Sequence, residues 1–191
     1  SNAANDFGRV SVTDVKDLTI GEANTLTLGG TITGDLTITA GGAIDLDETT
    51  VAVNLAILAS TGVTDSGTVS VSGATQITST GAVTLDNDVV LTGSVAVDAV
   101  DLTLDAAADI ELNAVTLSGN LDLATTGDIA QSELAADAIA VTGTTTLETG
   151  VDNKIVLRNA ANSFGGLVTL TAAKGADLHT ATALNLQGAV G

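Results

Sequence analysis

Gly34-Asp35-Leu36-Thr37-Ile38-Thr39-Ala40-Gly41-Gly42-Ala43-Ile44-Asp45-Leu46 holds the unit from which the rest of the chain can be read. Leu36 and Ile38 flank Thr37, Ile44 and Leu46 flank Asp45, and Gly41-Gly42 lies between the two runs. Alternation of period two sends the apolar set to one side of an extended chain, so each run is a short strand with one buried face. Ile38 and Ile44 are separated by five small or polar residues. The same spacing returns as Ile57/Val63, Ile77/Val83, Leu104/Ile110 and Leu123/Ile129, with looser copies at Ile20/Leu26, Leu147/Ile155 and Leu170/Leu178. The second members fall at 26, 44, 63, 83, 110, 129, 155 and 178, in steps of 18, 19, 20, 27, 19, 26 and 23. A repeat of about 20 residues built from two or three short strands is the size of one turn of a β-solenoid.

A single turn cannot bury its own apolar face. Stacked turns bury it against neighbours about 4.8 Å away and satisfy the backbone by parallel pairing. The predicted fold is therefore all-β, a right-handed parallel β-helix of about 20 residues per turn, with Leu and Ile inside and Thr, Ser and Asp outside. Eight or nine turns make a rod on the order of 40 Å long. The alternative, an antiparallel sandwich, calls for longer strands without this recurrence. The longer steps predict surface loops near Asp86–Asn87 and Val151–Lys154. Asp105 to Ala114 is Ala-rich, but Leu102, Leu104, Ile110 and Leu112 predict strand, turn, strand. Gln131 to Ala138 is the one segment left open to a helix.

Composition narrows the interior. The chain has 191 residues, 45% of them hydrophobic, with no Pro, Cys, Met, Trp or Tyr and 21 Gly. The core must come from Leu, Ile, Val and Ala, which suits a narrow interior where one position recurs layer upon layer. A large globular core would use aromatics for the area each buries. No cysteine means no disulfide framework and no thiolate metal site. No apolar run approaches the roughly 18 residues of a membrane span. The formal charge is −18, and from Asp17 through Asn153 there is no Lys, Arg or His. Nucleic acid and anionic membrane surfaces are unsuitable partners for that stretch.

A longer similarity overlies the short one. Residues 4–12 return as 161–170, and the two aromatic residues of the chain, Phe7 and Phe164, lie inside the two copies at an offset of 157. Ala23-x-x-Leu26-x-Leu28 then lines up with Ala181-x-x-Leu184-x-Leu186 at an offset of 158. The expectation is that Ser1-Asn2-Ala3 is an expression scar and residues 4–191 are a single solenoid segment cut from a longer repeat array. Such a segment would expose open strand edges and an apolar cross-section at both ends.

The residues give little chemistry. There is no Gly-x-Ser-x-Gly elbow, phosphate loop, His-Glu-x-x-His or Gly-x-Gly-x-x-Gly. His179 is the single histidine and reads as surface decoration. Asp86-Asn87-Asp88 and Asp45-Leu46-Asp47-Glu48 are the densest acid clusters. They lack the spacing of an EF-hand loop, and Gly41-Gly42-Ala43-Ile44-Asp45 misses the Gly-Gly-x-Gly-x-Asp calcium nonapeptide, so they read as solvated turn acids. Asp109 and Asp128 each precede a repeat isoleucine, with Lys154 and Asp177 in the corresponding places. If the turns stack in that register, two carboxylates lie one strand apart and Lys154 offsets Asp128. The pairs Thr25/Thr27, Thr31/Thr33 and Thr37/Thr39 would serve an ice-binding face only if stacked at one position on successive turns, and they do not recur at the turn spacing. A carbohydrate-active β-helix needs acids placed with cations or aromatics, which the middle of the chain lacks. No catalytic, cofactor-binding or metal-ligating residue is assigned, and no cofactor is expected.

Gly34 to Leu46, Gly119 to Ile129, Val141 to Leu147, and the pair Ala4–Gly8 and Ala161–Gly165 resemble the repeats of filamentous haemagglutinin-type adhesins. These are large exported proteins of Gram-negative bacteria. The resemblance implies a right-handed parallel β-helix, a secreted or cell-surface location, and a role in attachment. On it rests the expectation of a non-enzymatic, rigid acidic shaft displaying a binding region. Its partners would be neighbouring repeats of the same polypeptide and a host or neighbouring-cell glycan or protein, without nucleic acid or membrane insertion. The alternative is a glycan- or protein-binding module on a solenoid face or loop. A carbohydrate-active enzyme stands third.

Overall fold

The computed structural model describes residues 5–172 and 174–190, so Ser1, Asn2, Ala3 and Ala4 lie outside the described residues. The described chain winds as a parallel β-solenoid with two 11-stranded sheets. The first sheet runs from Arg9–Val15 through Leu26–Ile32, Ile44–Val51, Val63–Asp65, Val83–Leu91, Leu102–Ala106, Leu121–Thr125, Thr145–Thr149 and Leu167–Ala172 to Asn185–Val190. The second runs from Leu18–Glu22 through Leu36–Ala40, Leu55–Ala59, Thr75–Ser79, Ser94–Ala99, Ile110–Leu117, Ile129–Gln131 and Lys154–Leu157 to Gly175–Leu178. The alternation in the sequence becomes alternation in burial: Leu36 to Ala40 reads buried, exposed, buried, exposed, buried.

Register turns the alternation into columns. Leu26, Ile44, Val63, Val83, Leu102, Leu121, Thr145, Val168 and Leu186 pair in succession. Most turns are 18 to 20 residues long, and the steps from Leu121 to Thr145 and from Thr145 to Val168 take 24 and 23. Every member from Leu26 to Val168 is buried, so the core is one continuous stack of layers, aliphatic throughout this column except at Thr145. At about 25 cal/mol per Å² of apolar area, each added turn is stabilised mainly by covering the layer beneath it.

The turn length and strand pattern agree with the sequence, but one column does not. The spacing read from sequence runs 83, 110, 129, 155, 178. In the structure Val83 is followed by Leu102, while Ile110, Ile129 and Ile155 stack in the other sheet. Ile155 then pairs with Ala176 rather than Leu178. An apolar residue, five others and an apolar residue describe a corner, and each turn has two corners. Ile38/Ile44 crosses from the second sheet to the first, whereas Leu104/Ile110 crosses from the first to the second. The 27-residue step is one turn plus one strand.

The long-range similarity is also shifted. Arg9 shares its column with Thr27 and, through the intervening strands, with Thr169, an offset of 160 rather than 157. Phe164 therefore stacks on Val141 and Leu117 in the column that begins with Glu22 and Ala40, and it is buried. Phe7 is 54% exposed. The two aromatics do not occupy equivalent positions.

The extra residues of the long turns sit at 132–138, which carries a short 3-10 helix at Ala135–Asp137, and, in the next turn, at the Val151–Asn153 turn and in the 158–162 connection. The predicted loop at Asp86–Asn87 is absent. Those residues lie inside the strand Val83–Leu91, with their backbone N–H groups on the Asp65 carboxylate. Asp105 to Ala114 is strand, turn, strand, as the alternation predicts.

Some strands bend without leaving their sheet. Ile44–Val51 pairs first with Val63–Asp65 and then with Val69–Val71. The bend is at Glu48, in the left-handed region at φ 52°, and Asp88 at φ 53° does the same in Val83–Leu91. The matching bend in Leu26–Ile32 uses Gly30 at φ 127°, where an added Cβ would overlap the Val12 carbonyl oxygen. Thr49 stacks over Gly30, and its hydroxyl donates to the Leu28 carbonyl at 2.9 Å. That satisfies a buried acceptor beside the bulge.

Candidate functional site

The corners carry a side-chain ladder. Asp17 Oδ1 accepts the N–H of Asp35 at 3.1 Å, Asp35 Oδ1 that of Asn54 at 3.1 Å, and Asn54 Oδ1 that of Ala74 at 2.9 Å. Asp101 to Asn120 to Thr144 repeats the arrangement at 2.6 and 2.9 Å. Asp109 to Asp128 to Lys154 repeats it at 2.8 and 2.9 Å. The register expected from sequence for Asp109, Asp128 and Lys154 is therefore present, but its chemistry differs. Each carboxylate is directed at a backbone N–H of the next turn. Lys154 meets Asp128 through its amide. Asp177 does not join the column, because Lys154 pairs with Gly175.

Of the acid clusters in the sequence, Asp47, Glu48, Asp86 and Asp88 face one cleft. A cleft of about 390 Å³ is lined by Asp47, Glu48, Ser66, Gly67, Thr68 and Asp86 to Asp88. Beneath it, Asp65 replaces a leucine in the column Leu28, Leu46, then Leu85, Leu104, Leu123 and Leu147. Its carboxylate is buried and accepts the N–H groups of Asp86 and Asn87 at 3.0 Å each. Asp47 is held by the guanidinium of Arg9, and Asp45 accepts the Ser66 hydroxyl at 2.8 Å. Among the described residues no three acidic or histidine side chains are grouped as a metal-ligand set.

A second cleft, of about 650 Å³, opens where the 132–138 insertion leaves the solenoid. Glu133, Ala135, Arg158, Asn159, Ala160, Ala161 and His179 line it. A buried amide pair supports it from below. Gln131 Nε2 donates to Asn162 Oδ1 at 2.7 Å, and Asn162 Nδ2 donates back to Gln131 Oε1 at 2.8 Å. Gln131 also donates to the Asp137 carbonyl, Asn162 accepts the Ile139 N–H, and Asn159 donates to the Leu134 carbonyl. The insertion is thus tied at both ends and at its tip to inward-facing amides. The alternation Ile129-Ala130-Gln131 carries the signal that Gln131 points inward. Its partner 31 residues later has no local signature.

On the rim, Arg158 Nε donates to Asp177 Oδ2 at 2.7 Å, and His179 Nε2 lies 3.4 Å from Asp177 Oδ1. The hydrogen bond to Asp177, then its charge, raises the Arg158 pKa above its ordinary value, and Glu133 adds to this. His179 is half exposed, as a surface histidine would be, but it joins a three-residue polar cluster. The cleft lining contains no hydroxyl or thiol nucleophile for the imidazole to activate.

The threonines of the first sheet form a column that the paired motifs conceal. Thr27, Thr64, Thr84, Thr103, Thr146 and Thr169 stack on its outer face, with Asp45 and Asp122 interposed. The pair Thr37/Thr39 stacks on Ala56 and Leu58, so paired threonines do not continue from turn to turn.

The chain belongs to a family described as repeats of unknown function (DUF5649), whose profile matches residues 15–45, 40–98 and 99–171. No curated protein and no solved structure matched the chain. Among the described residues no helix is long and apolar enough to cross a membrane. The protein is a repeat β-solenoid.

Proposed function

We propose that this chain is a structural segment of a bacterial surface or secreted adhesin, a rigid acidic shaft that extends or displays a binding region of the same polypeptide. The observation that carries the reading is the unbroken buried column from Leu26 to Val168, reinforced at the corners by ladders of aspartate and asparagine. A stack in which each layer supports the next resists bending more than it favours a deep pocket. The resemblance of Gly34 to Leu46 and Gly119 to Ile129 to filamentous haemagglutinin-type repeats supports export and attachment. In this reading the chain performs no catalysis, and it takes neither nucleic acid nor membrane as a partner. Small-angle scattering tests the shaft. A narrow rod of constant cross-section that shows no ligand on glycan and cell-adhesion screens upholds it, and a compact or flexible particle removes it.

One observation favours a second reading, a direct glycan- or protein-binding module. The cleft beside the 132–138 insertion interrupts the smooth solenoid surface, and Leu134 is 69% exposed in that insertion. A ligand found on either screen and lost on Leu134→Ala or Arg158→Ala would favour the module over the shaft.

A further inference from the structure

We propose that the cleft beside the 132–138 insertion takes an uncharged, hydroxyl-rich ligand, a neutral sugar unit, between Glu133 and Arg158. The proposal rests on the second reading above, in which the chain binds directly, and names the class of ligand. At about 650 Å³ the cleft has the size of a small-ligand site. It lies on the flank of the stack. Ile129–Gln131, from which the insertion leaves, pairs with Ile110–Leu117 on one side and Lys154–Leu157 on the other. Lys154–Leu157, which leads to Arg158, pairs in turn with Gly175–Leu178. Glu133 and Arg158 therefore come from turns that each have a neighbour on both sides.

The shape of the cleft is fixed from beneath. Gln131 stands one turn after Leu112 in an inward column, and it is buried together with Asn159 and Asn162. Buried amides destabilise an aliphatic core unless their groups are bonded. Here Gln131 and Asn162 bond to each other, and further bonds go to the backbone of Leu134, Asp137 and Ile139. A leucine at position 131 would continue the column. The amides instead hold the insertion in one geometry, and a site already ordered binds without the cost of ordering it.

Charge and hydrogen-bonding capacity select the ligand. Arg158 commits Nε to Asp177 at 2.7 Å, and among the described residues neither its Nη groups nor the Glu133 carboxylate has a hydrogen-bond partner. Glu133 is close enough to Arg158 for its charge to act on the guanidinium. A hydroxyl both donates and accepts, so one placed between the two serves each. The rim sets two carboxylates, Glu133 and Asp177, against one guanidinium and one imidazole, so it carries no excess of positive charge. In a chain of formal charge −18 an anionic ligand is repelled at long range and finds no uncompensated base here. A cationic ligand has to share both carboxylates with Arg158. Ala135, Ala160 and Ala161 present only methyl groups, a shallow apolar surface that suits the C–H face of a sugar ring.

The test is two-dimensional amide NMR of the whole chain, titrated with neutral disaccharides and trisaccharides of glucose, galactose and mannose, with anionic trigalacturonate and with cationic triglucosamine. At least one neutral sugar is expected to give saturable shifts confined to residues 132–138, 158–161 and their immediate neighbours. Glu133→Ala and Arg158→Ala are each expected to weaken it about tenfold, the factor for one lost hydrogen bond to a charged group. Glu133→Gln keeps an acceptor, so it is expected to bind the neutral sugar nearly as the parent does and to gain affinity for trigalacturonate. Tighter binding of trigalacturonate or triglucosamine than of any neutral sugar, or a neutral sugar indifferent to both alanine variants, would overturn the ligand class and leave the binding module standing. No shift with any of these sugars would overturn it too. The binding module then falls only if the adhesion screens also find no ligand that Leu134→Ala or Arg158→Ala removes. The same spectra report whether a variant keeps its fold, and if one does not, the preference of the parent among the sugars decides alone.

Discussion

Asp128 Oδ1 accepts the backbone N–H of Lys154 at 2.9 Å, while the ammonium of Lys154 takes no part in that contact. What the pair contributes is an acceptor placed one turn ahead of the donor. Asp128→Ala is expected to destabilise the fold by about 1 kcal/mol, the worth of one net hydrogen bond. Asp128→Asn, which keeps Oδ1, is expected to lose less than half of that, and Lys154→Ala to leave the link intact. Urea unfolding of the three variants checks the order. A larger loss from Lys154→Ala than from Asp128→Ala would mean that the ammonium matters after all.

Among the described residues three buried threonine hydroxyls have no hydrogen-bond partner, those of Thr75, Thr145 and Thr149, and the first two are the most deeply buried. Thr75 stands between Leu55 and Val95 in one apolar column, and Thr145 between Leu121 and Val168 in another. Both are 1% exposed, and neither Oγ1 has a hydrogen-bond partner among the described residues. Replacing each with valine keeps the branched shape and removes a desolvated donor. Each is expected to stabilise by about 1 kcal/mol. The sites lie in different sheets, so the gains should add. Thermal melts of the single and double variants test this, and a fall in melting temperature would indicate a hidden partner.

Glu22 introduces a pH dependence at the N-terminal end. The N–H of Phe7 at 2.8 Å is the main cause that lowers its pKa below the ordinary 4.5, burial opposes the shift, and the N–H groups of Asn24 and Ala23 add to the lowering. A carboxyl with a depressed folded pKa stabilises fully above its unfolded value and loses that contribution as pH falls through the folded one. The parent should therefore exceed Glu22→Gln in melting temperature at neutral pH, and the gap should close in acid below 4.5. A gap independent of pH would assign Glu22 a packing role only.

The strand bends differ in what they tolerate. Gly30→Ala combines φ 127° with overlap on the Val12 carbonyl and is expected to cost roughly 2–4 kcal/mol. Asp88 occupies φ 53° with a side chain that accepts that region. Asp88→Gly should change stability by less than about 1 kcal/mol, and Asp88→Val should destabilise by about 1–2 kcal/mol. Denaturant midpoints at constant slope would show it. Equal effects of Gly and Val at position 88 would mean that the bend relaxes.

Leu36 to Leu46 was sufficient to read strand, corner and turn length, because those depend on local alternation and on Gly41-Gly42. Register beyond Val83 was not legible. Leu104/Ile110 has the same spelling as Ile38/Ile44, and only the stacking of Leu102 on Val83 shows which corner it is. Thr145 hides a column position by being polar where its neighbours are aliphatic. At the candidate clefts, the acids at 45–48 and 86–88 were visible as clusters, but not the buried Asp65 that tethers the second one. His179 looked isolated because its partner Asp177 is engaged by Arg158, 19 residues earlier. Gln131 and Asn162 meet across 31 residues through amides that no period marks.

The corner ladder has a direction. Asp17, Asp35, Asp101, Asn120, Asp109 and Asp128 each hand an acceptor to a residue later in the chain. A finished turn therefore presents its successor with a row of fixed oxygens before that successor has formed. A chain emerging N-terminus first would wind onto a template already in place, one coil at a time. The same chain released from the other end would place the donors of each corner before their acceptors.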